Sequence, residues 1–81
     1  LRKFPHKLIN VAVGSKPDIS TLNATQLVVE TEKELGNTGR VLMRYSGTGP
    51  KMRILVEGKD ADYITSRAEK IAEAVMEQIG L

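Results

Sequence analysis

Arg44-Tyr45-Ser46-Gly47-Thr48-Gly49-Pro50, with Arg53 just beyond, gathers two guanidiniums, two hydroxyls and two glycines in one short stretch. Arginine offers oxyanions a planar fork of donors, which the point charge of lysine does not. In an extended strand Arg44 and Ser46 point to the same side. Glycines at 47 and 49 allow the backbone to turn its N–H groups inward, and turns of that kind form anion-holding concavities. Ser46 and Thr48 add hydroxyl donors. Arg44, Ser46, Gly47, Thr48 and Arg53 thus describe a site for a phosphate. The same stretch also reads as a plain hairpin turn with its arginines on a solvated face. The residues taken alone leave both readings open.

Charge distribution favours an anionic ligand there. The chain has 81 residues and a formal net charge of +2. Arg40, Arg44, Lys51 and Arg53 make the segment 39–53 a +4 stretch without an acid, and the remaining eight bases and ten acids balance to −2. A positive patch therefore lies on a mildly acidic body, and the overall charge is too small to imply a nucleic-acid partner.

Other chemistry is scarce. The chain has no cysteine and one histidine, His6, which excludes disulfides, thiol catalysis and multi-His metal sites. A reducing compartment is compatible with that, and the expected location is cytoplasmic. His6 is expected just before the first strand, with no role. Asp60 and Asp62 read as helix capping in preference to metal ligation. No nucleophile has an adjacent base, so no catalytic residue is expected. There is no apolar run long enough for a membrane helix and no signal-peptide pattern, so no membrane partner is expected. The chain starts at Leu1 and reads as a piece of a longer polypeptide.

The elements that must position the turn follow from periodicity. Ile9, Val11 and Val13 alternate with Leu8, Asn10 and Ala12, which predicts a strand over Lys7 to Val13. Gly14-Ser15-Lys16-Pro17-Asp18 breaks it, and Ser20, Thr21 and Asn23 are candidate N-caps. A helix is predicted from Ala24 to Leu35, with Leu27, Val28 and Leu35 on one face and Gly36 as its C′ residue. The β-branched Val28, Val29 and Thr31 count against it. Arg40 to Tyr45 and Met52 to Glu57 alternate again, and the five turn residues Ser46 to Pro50 read as the bend of a hairpin. Asp60 caps a long helix from Ala61 to Ile79 whose apolar stripe is Ala61, Ile64, Ala68, Ile71, Ala72, Val75 and Ile79. The expected fold is α+β in the order β-α-β-β-α, a small, mostly antiparallel sheet with two helices on one face.

Two binding alternatives use other residues. Gly36-Asn37-Thr38-Gly39 has the spacing of a KH-type GXXG loop, but that loop joins two helices. An RRM-type surface needs exposed aromatics for stacking, and Phe4, Tyr45 and Tyr63 are the aromatic residues of this chain. Neither suits the sequence, and no nucleic-acid partner is expected.

The stretch Arg44-Tyr45-Ser46-Gly47-Thr48-Gly49-Pro50-Lys51-Met52-Arg53-Ile54-Leu55-Val56-Glu57-Gly58 resembles the last signature motif of the α-D-phosphohexomutases, R-x-S-G-T-E-P-x-x-R-x-x-V-E. Leu8-Ile9-Asn10-Val11-Ala12-Val13 with Lys16-Pro17, and the closing helix, extend the resemblance over essentially the whole chain. It implies that residues 1–81 are the fourth, C-terminal domain, with a TATA-binding-protein-like fold. The opening strand, Gly39-Arg40-Val41-Leu42 and the S-G-T form most resemble the phosphoglucosamine mutase branch. Such enzymes interconvert hexose 6-phosphate and 1-phosphate through an active-site phosphoserine, assisted by magnesium. Their serine, metal and sugar loops lie on domains upstream of this one. The resemblance therefore implies a phosphosugar substrate, upstream domains as partners, Mg2+ only in the whole enzyme, and an isolated domain without activity. Carried over residue by residue, Arg44, Ser46, Gly47, Thr48 and Arg53 match the phosphate-contacting positions. The sugar would be glucosamine phosphate, with glucose or mannose phosphate as the alternative. One departure is Gly49, where the family pattern has an acid. It puts the bracing of the loop in question.

Overall fold

The computed structural model describes residues 4–47 and 49–81. Its elements are β1 (His6–Ala12), α1 (Ala24–Leu35), β2 (Arg40–Tyr45), β3 (Lys51–Glu57) and α2 (Ala61–Ile79), with 3₁₀ turns at Ile19–Thr21 and Gly36–Thr38. The strands form one three-stranded sheet in the order β1-β3-β2. Both pairings are antiparallel. The α+β fold predicted from the sequence is the fold observed.

β3 is the central strand, and its Met52, Ile54 and Val56 are fully buried. Val11 and Val13 from the β1 side, and Val41 from β2, complete the covered face. Both helices pack there. α2 lies over β1 and β3, and α1 lies over β2 and against α2. Ile64, Ala68, Ile71, Ala72, Val75 and Ile79 bury the predicted stripe of α2. Ala61 departs from it and is exposed. It has the right phase, but it stands in the first turn of the helix, before the first covered position at Ile64.

The ends of α2 follow local rules. The Asp60 carboxylate accepts from the N–H groups of Asp62 and Tyr63 at 3.0 and 3.2 Å, the N-cap role expected for it. At the other end Gly80 N–H donates to Met76 O at 3.0 Å, and Gly14 N–H to Ile79 O at 2.7 Å. Val13 lies just past β1, bridged to Gly80. The last residues of the chain are thereby held beside the end of the first strand.

α1 differs in detail from expectation. Asn23 precedes it with a helical backbone and makes no side-chain cap bond. The capping belongs one turn earlier, where Asp18 accepts from the N–H and hydroxyl of Ser20 at 3.0 and 2.9 Å. Thr21 bonds back to Asp18 O. Leu27 and Val28 are half-buried, whereas Ala24 and Thr31 are fully buried. Thr31, which counts against a helix by propensity, is the polar point of contact with α2. Its hydroxyl donates to Leu27 O at 2.7 Å and accepts from Arg67 Nε at 2.9 Å.

Two glycines are required after α1. Gly36, just after α1, has φ 55° with ψ −124°, a positive-φ backbone that L side chains resist. At Gly39 an added Cβ would lie 2.0 Å from Glu57 O, so β2 starts with its backbone against the end of β3. The Gly36–Gly39 segment joins a helix to a strand and packs against β3. That arrangement removes the KH-type reading.

Candidate anion-binding site

Strand alternation gives the sheet a second face that neither helix covers. Across β1 and β3 it pairs His6 with Glu57, Leu8 with Leu55, Asn10 with Arg53 and Ala12 with Lys51. Across β2 and β3 it pairs Arg40 with Glu57, Leu42 with Leu55 and Arg44 with Arg53. The face therefore reads as successive rows: charged at His6-Glu57-Arg40, apolar at Leu8-Leu55-Leu42, cationic at Asn10-Arg53-Arg44, and Ala12-Lys51 at the hairpin end.

Arg44 and Arg53 stand directly opposite one another on adjacent strands, where Cβ atoms are about 4.5–5.5 Å apart. Both are exposed. The ion pairs among the described residues are Arg40 with Glu57 at 3.2 Å and Arg67 with Glu30 at 3.5 Å. Neither Arg44 nor Arg53 has a carboxylate partner among them. Like charges facing across a sheet are destabilising, by roughly 0.5–1 kcal/mol in water. An anion between them reverses the sign of that term. The two guanidiniums and Leu42 and Leu55 line a shallow groove of about 280 Å³.

The hairpin turn lies at the end of this groove. Ser46 N–H donates to Lys51 O at 2.8 Å, and Lys51 N–H to Gly49 O at 2.9 Å. The amide of Ser46 is thus engaged in closing the hairpin. Gly47 is exposed at the tip, and Ser46 and Gly49 are half-buried. Thr48, the remaining predicted residue, lies outside the described residues. The N–H concavity expected of Gly47 and Gly49 includes Thr48 and so lies outside the described residues. An added Cβ at either would meet nothing within 4 Å. The glycines leave the approach to the turn open, and a side chain at 49 would start into open space.

The turn is braced from below. Pro50 O accepts from Val13 N–H at 2.8 Å. Tyr45, on the covered face, donates its hydroxyl to Pro17 O. Burial, and then the nearby Asp18 carboxylate, push the phenol pKa upward. These bonds tie the end of β1 to the hairpin turn and the end of β2 to the loop at 14–18, so the arginine pair rests on a held frame.

The structure brings Arg44 and Arg53 together and places Ser46 and Gly47 at the same end of the face. It also adds Asn10, which strand alternation alone marks as an ordinary outward residue. No local signal marks Asn10, because its pairing with Arg53 joins distant parts of the chain. His6 is the first residue of β1 and pairs with Glu57, not a residue ahead of the strand. Among the described residues no three His, Asp or Glu side chains cluster as metal ligands do.

Fold and face together define a class: a small α+β domain whose uncovered sheet face carries an arginine-lined groove. Comparison with known proteins narrows it. The chain belongs to the phosphoglucomutase/phosphomannomutase C-terminal domain family, whose model matches residues 8–74. It is 49% identical over 78 residues to a phosphoglucosamine mutase of Syntrophobacter fumaroxidans, covering 95% of this chain and 17% of that protein. It is 38% identical over 82 residues to a phosphoglucosamine mutase of Protochlamydia amoebophila, covering 100% of this chain and 18% of the relative. The chain thus spans about a sixth of the length of these curated relatives. Among solved structures it resembles an Aspergillus fumigatus N-acetylphosphoglucosamine mutase in complex with GlcNAc-6P and magnesium, with a TM-score of 0.70 at 21% identity over 91% of this chain and 16% of that one. An N-acetylglucosamine-phosphate mutase of the α-D-phosphohexomutase superfamily gives 0.67 at 18% identity over 89% of this chain and 15% of that one. At these identities the structural likeness is one of fold.

Proposed function

We propose that this chain is the phosphate-holding C-terminal domain of a phosphosugar mutase that interconverts glucosamine 6-phosphate and glucosamine 1-phosphate. The observation that carries the proposal is the facing pair Arg44 and Arg53, exposed on a bare sheet face and with no carboxylate partner among the described residues. Phosphoryl transfer between two ends of one sugar leaves one phosphate idle in each half-reaction. That phosphate must be held while the other reacts, and positioning with charge neutralisation is the main contribution a protein makes to such chemistry. Arg44 and Arg53 neutralise the idle dianion. The hydroxyls of Ser46 and Thr48 and the Gly47 N–H add shorter-range donors at the hairpin end. A clamp that must accept the sugar in either orientation grips phosphate and largely ignores the ring.

The nucleophile, the sugar-specific contacts and a magnesium ion that would neutralise the transferring group belong, on this reading, to upstream domains of the same protein. The described residues hold no cluster that fits such an ion, and the isolated chain is expected to be inactive. Glucose or mannose phosphate is the alternative substrate, since the domain reads phosphate more than sugar.

The test is a titration of the ¹⁵N-labelled chain with inorganic phosphate, glucosamine 6-phosphate and glucose 6-phosphate. Arg44, Arg53, Gly47 and Gly49 should shift most, with Kd of roughly millimolar or weaker, about −4 kcal/mol. Two exposed arginines must lose rotamer freedom on binding, which holds the affinity low. Micromolar affinity for one sugar phosphate alone would show that the domain reads the hexose.

A further inference from the structure

The row that holds the arginine pair has a third member. Asn10 on β1 is the register partner of Arg53, as Arg44 is on β2. It is exposed on the bare face between residues that turn into or toward the core. Opposed positions bring its carboxamide within side-chain reach of Arg53. No described residue hydrogen-bonds that carboxamide. Resting on the phosphate reading above, we infer that Asn10 is a further binding residue of the anion site, which thereby spans all three strands.

The chemistry of the position supports this. A carboxamide carries an acceptor and two donors. With an anion bound, its Oδ1 would accept from the Arg53 guanidinium and steer that group toward Arg44, while its Nδ2 would donate to a phosphate oxygen. A lysine or arginine there would add a third mutually repelling cation. A carboxylate would hold Arg53 firmly but repel the ligand. A neutral donor–acceptor meets both demands. The charged row four residues further from the turn differs, because Arg40 and Glu57 already neutralise each other at 3.2 Å.

Titration of inorganic phosphate into the parent chain, Asn10→Ala and Asn10→Asp tests the inference. In the parent, the side-chain NH₂ resonances of Asn10 should move along the same isotherm as the Arg44 and Arg53 amides. Asn10→Ala should raise the phosphate Kd about three- to tenfold while the amide spectrum of the core stays in place. Asn10→Asp is nearly isosteric, so it tests charge without changing shape. It should raise Kd at least tenfold and yet raise Tm by a few degrees, because it pairs Arg53. A merely structural asparagine would not separate binding from stability in that way. If Arg44 and Arg53 shift with phosphate while the Asn10 NH₂ stays still, or if both variants bind as the parent does, the part assigned to Asn10 is wrong and the arginine site stands. If phosphate moves none of Arg44, Arg53 and Gly47, the site itself fails and Asn10 with it.

Discussion

Arginine is used in two opposite ways in this molecule. In the seam between the helices, Arg67 is largely covered, with 15% of its side chain exposed. Its Nε donates to the buried Thr31 hydroxyl at 2.9 Å, its Nη2 lies 3.5 Å from Glu30, and its guanidinium carbon is 6.0 Å from the Tyr63 ring centre. Two of its nitrogens there meet partners supplied by the fold. Arg44 and Arg53 are exposed, opposed to each other and without a carboxylate among the described residues. The seam is a finished structure, whereas the bare face has a cationic surplus that an anion would complete. The contrast teaches that the partners of an arginine, more than its presence, mark it as structural or ligand-binding.

The comparison can be broken where its effect is largest. Arg67→Ala removes a part-buried hydrogen bond, an ion pair and packing over Tyr63, so it should cost about 2 kcal/mol. For a chain of this size that lowers Tm by roughly 10 °C in a thermal melt. Phosphate affinity, measured well below that Tm, should not change. A melt within about a degree of the parent would mean that the seam contributes little and the contrast is false.

The bare face predicts the reverse pattern. Arg44→Gln should weaken phosphate binding more than tenfold, to beyond detection in the same titration, while Tm stays level or rises slightly as the opposed charge is lifted. Raising the salt from 0.05 to 0.5 M, as round test values of about one decade, should weaken the parent site and leave the seam untouched, because exposed charges are screened and partly buried ones much less so. Lys59→Ala, outside the motif, should change neither. Loss of stability on Arg44→Gln without loss of binding would exchange the roles of the two regions.

The smallest effect sharpens the seam. The Tyr63 phenol is pushed above its ordinary pKa, first by burial and then by its hydrogen bond to Glu34 and that residue's charge; Arg67 pulls weakly the other way. A folded-state value above the unfolded one means that the stabilisation is complete below about pH 10 and is lost as pH rises through the folded value. Tyr63→Phe should therefore flatten the alkaline limb of stability in denaturant titrations, leaving the share that Tyr45 carries by the same mechanism. An unchanged alkaline limb would detach Tyr63 from the seam.

Much of this protein was legible from neighbouring residues. Alternation in 40–45 and 52–57, the 3–4 spacing of Ile64, Ala68, Ile71 and Val75, the Asp60 cap and the Gly36 stop depend on a few adjacent positions, and the elements lie within a residue of where those signals put them. The turn with its arginines, and the family to which it points, were legible for the same reason. Other features had to wait for the folded chain. The N-cap of α1 is absent because a 3₁₀ turn capped by Asp18 leads into the helix and leaves Asn23 already helical. Thr31 reads as a poor helix former until Arg67 approaches from α2. Gly39 is an ordinary loop glycine until β3 is laid beside it. Asn10 is an outward strand residue until β1 pairs with β3, and Arg44 opposes Arg53 only in one register. Periodicity and caps are local properties of the chain, set by backbone geometry over a turn or two. Which strand lies beside which, and in what register, is set by closing long loops over a shared core, and no single segment carries that information.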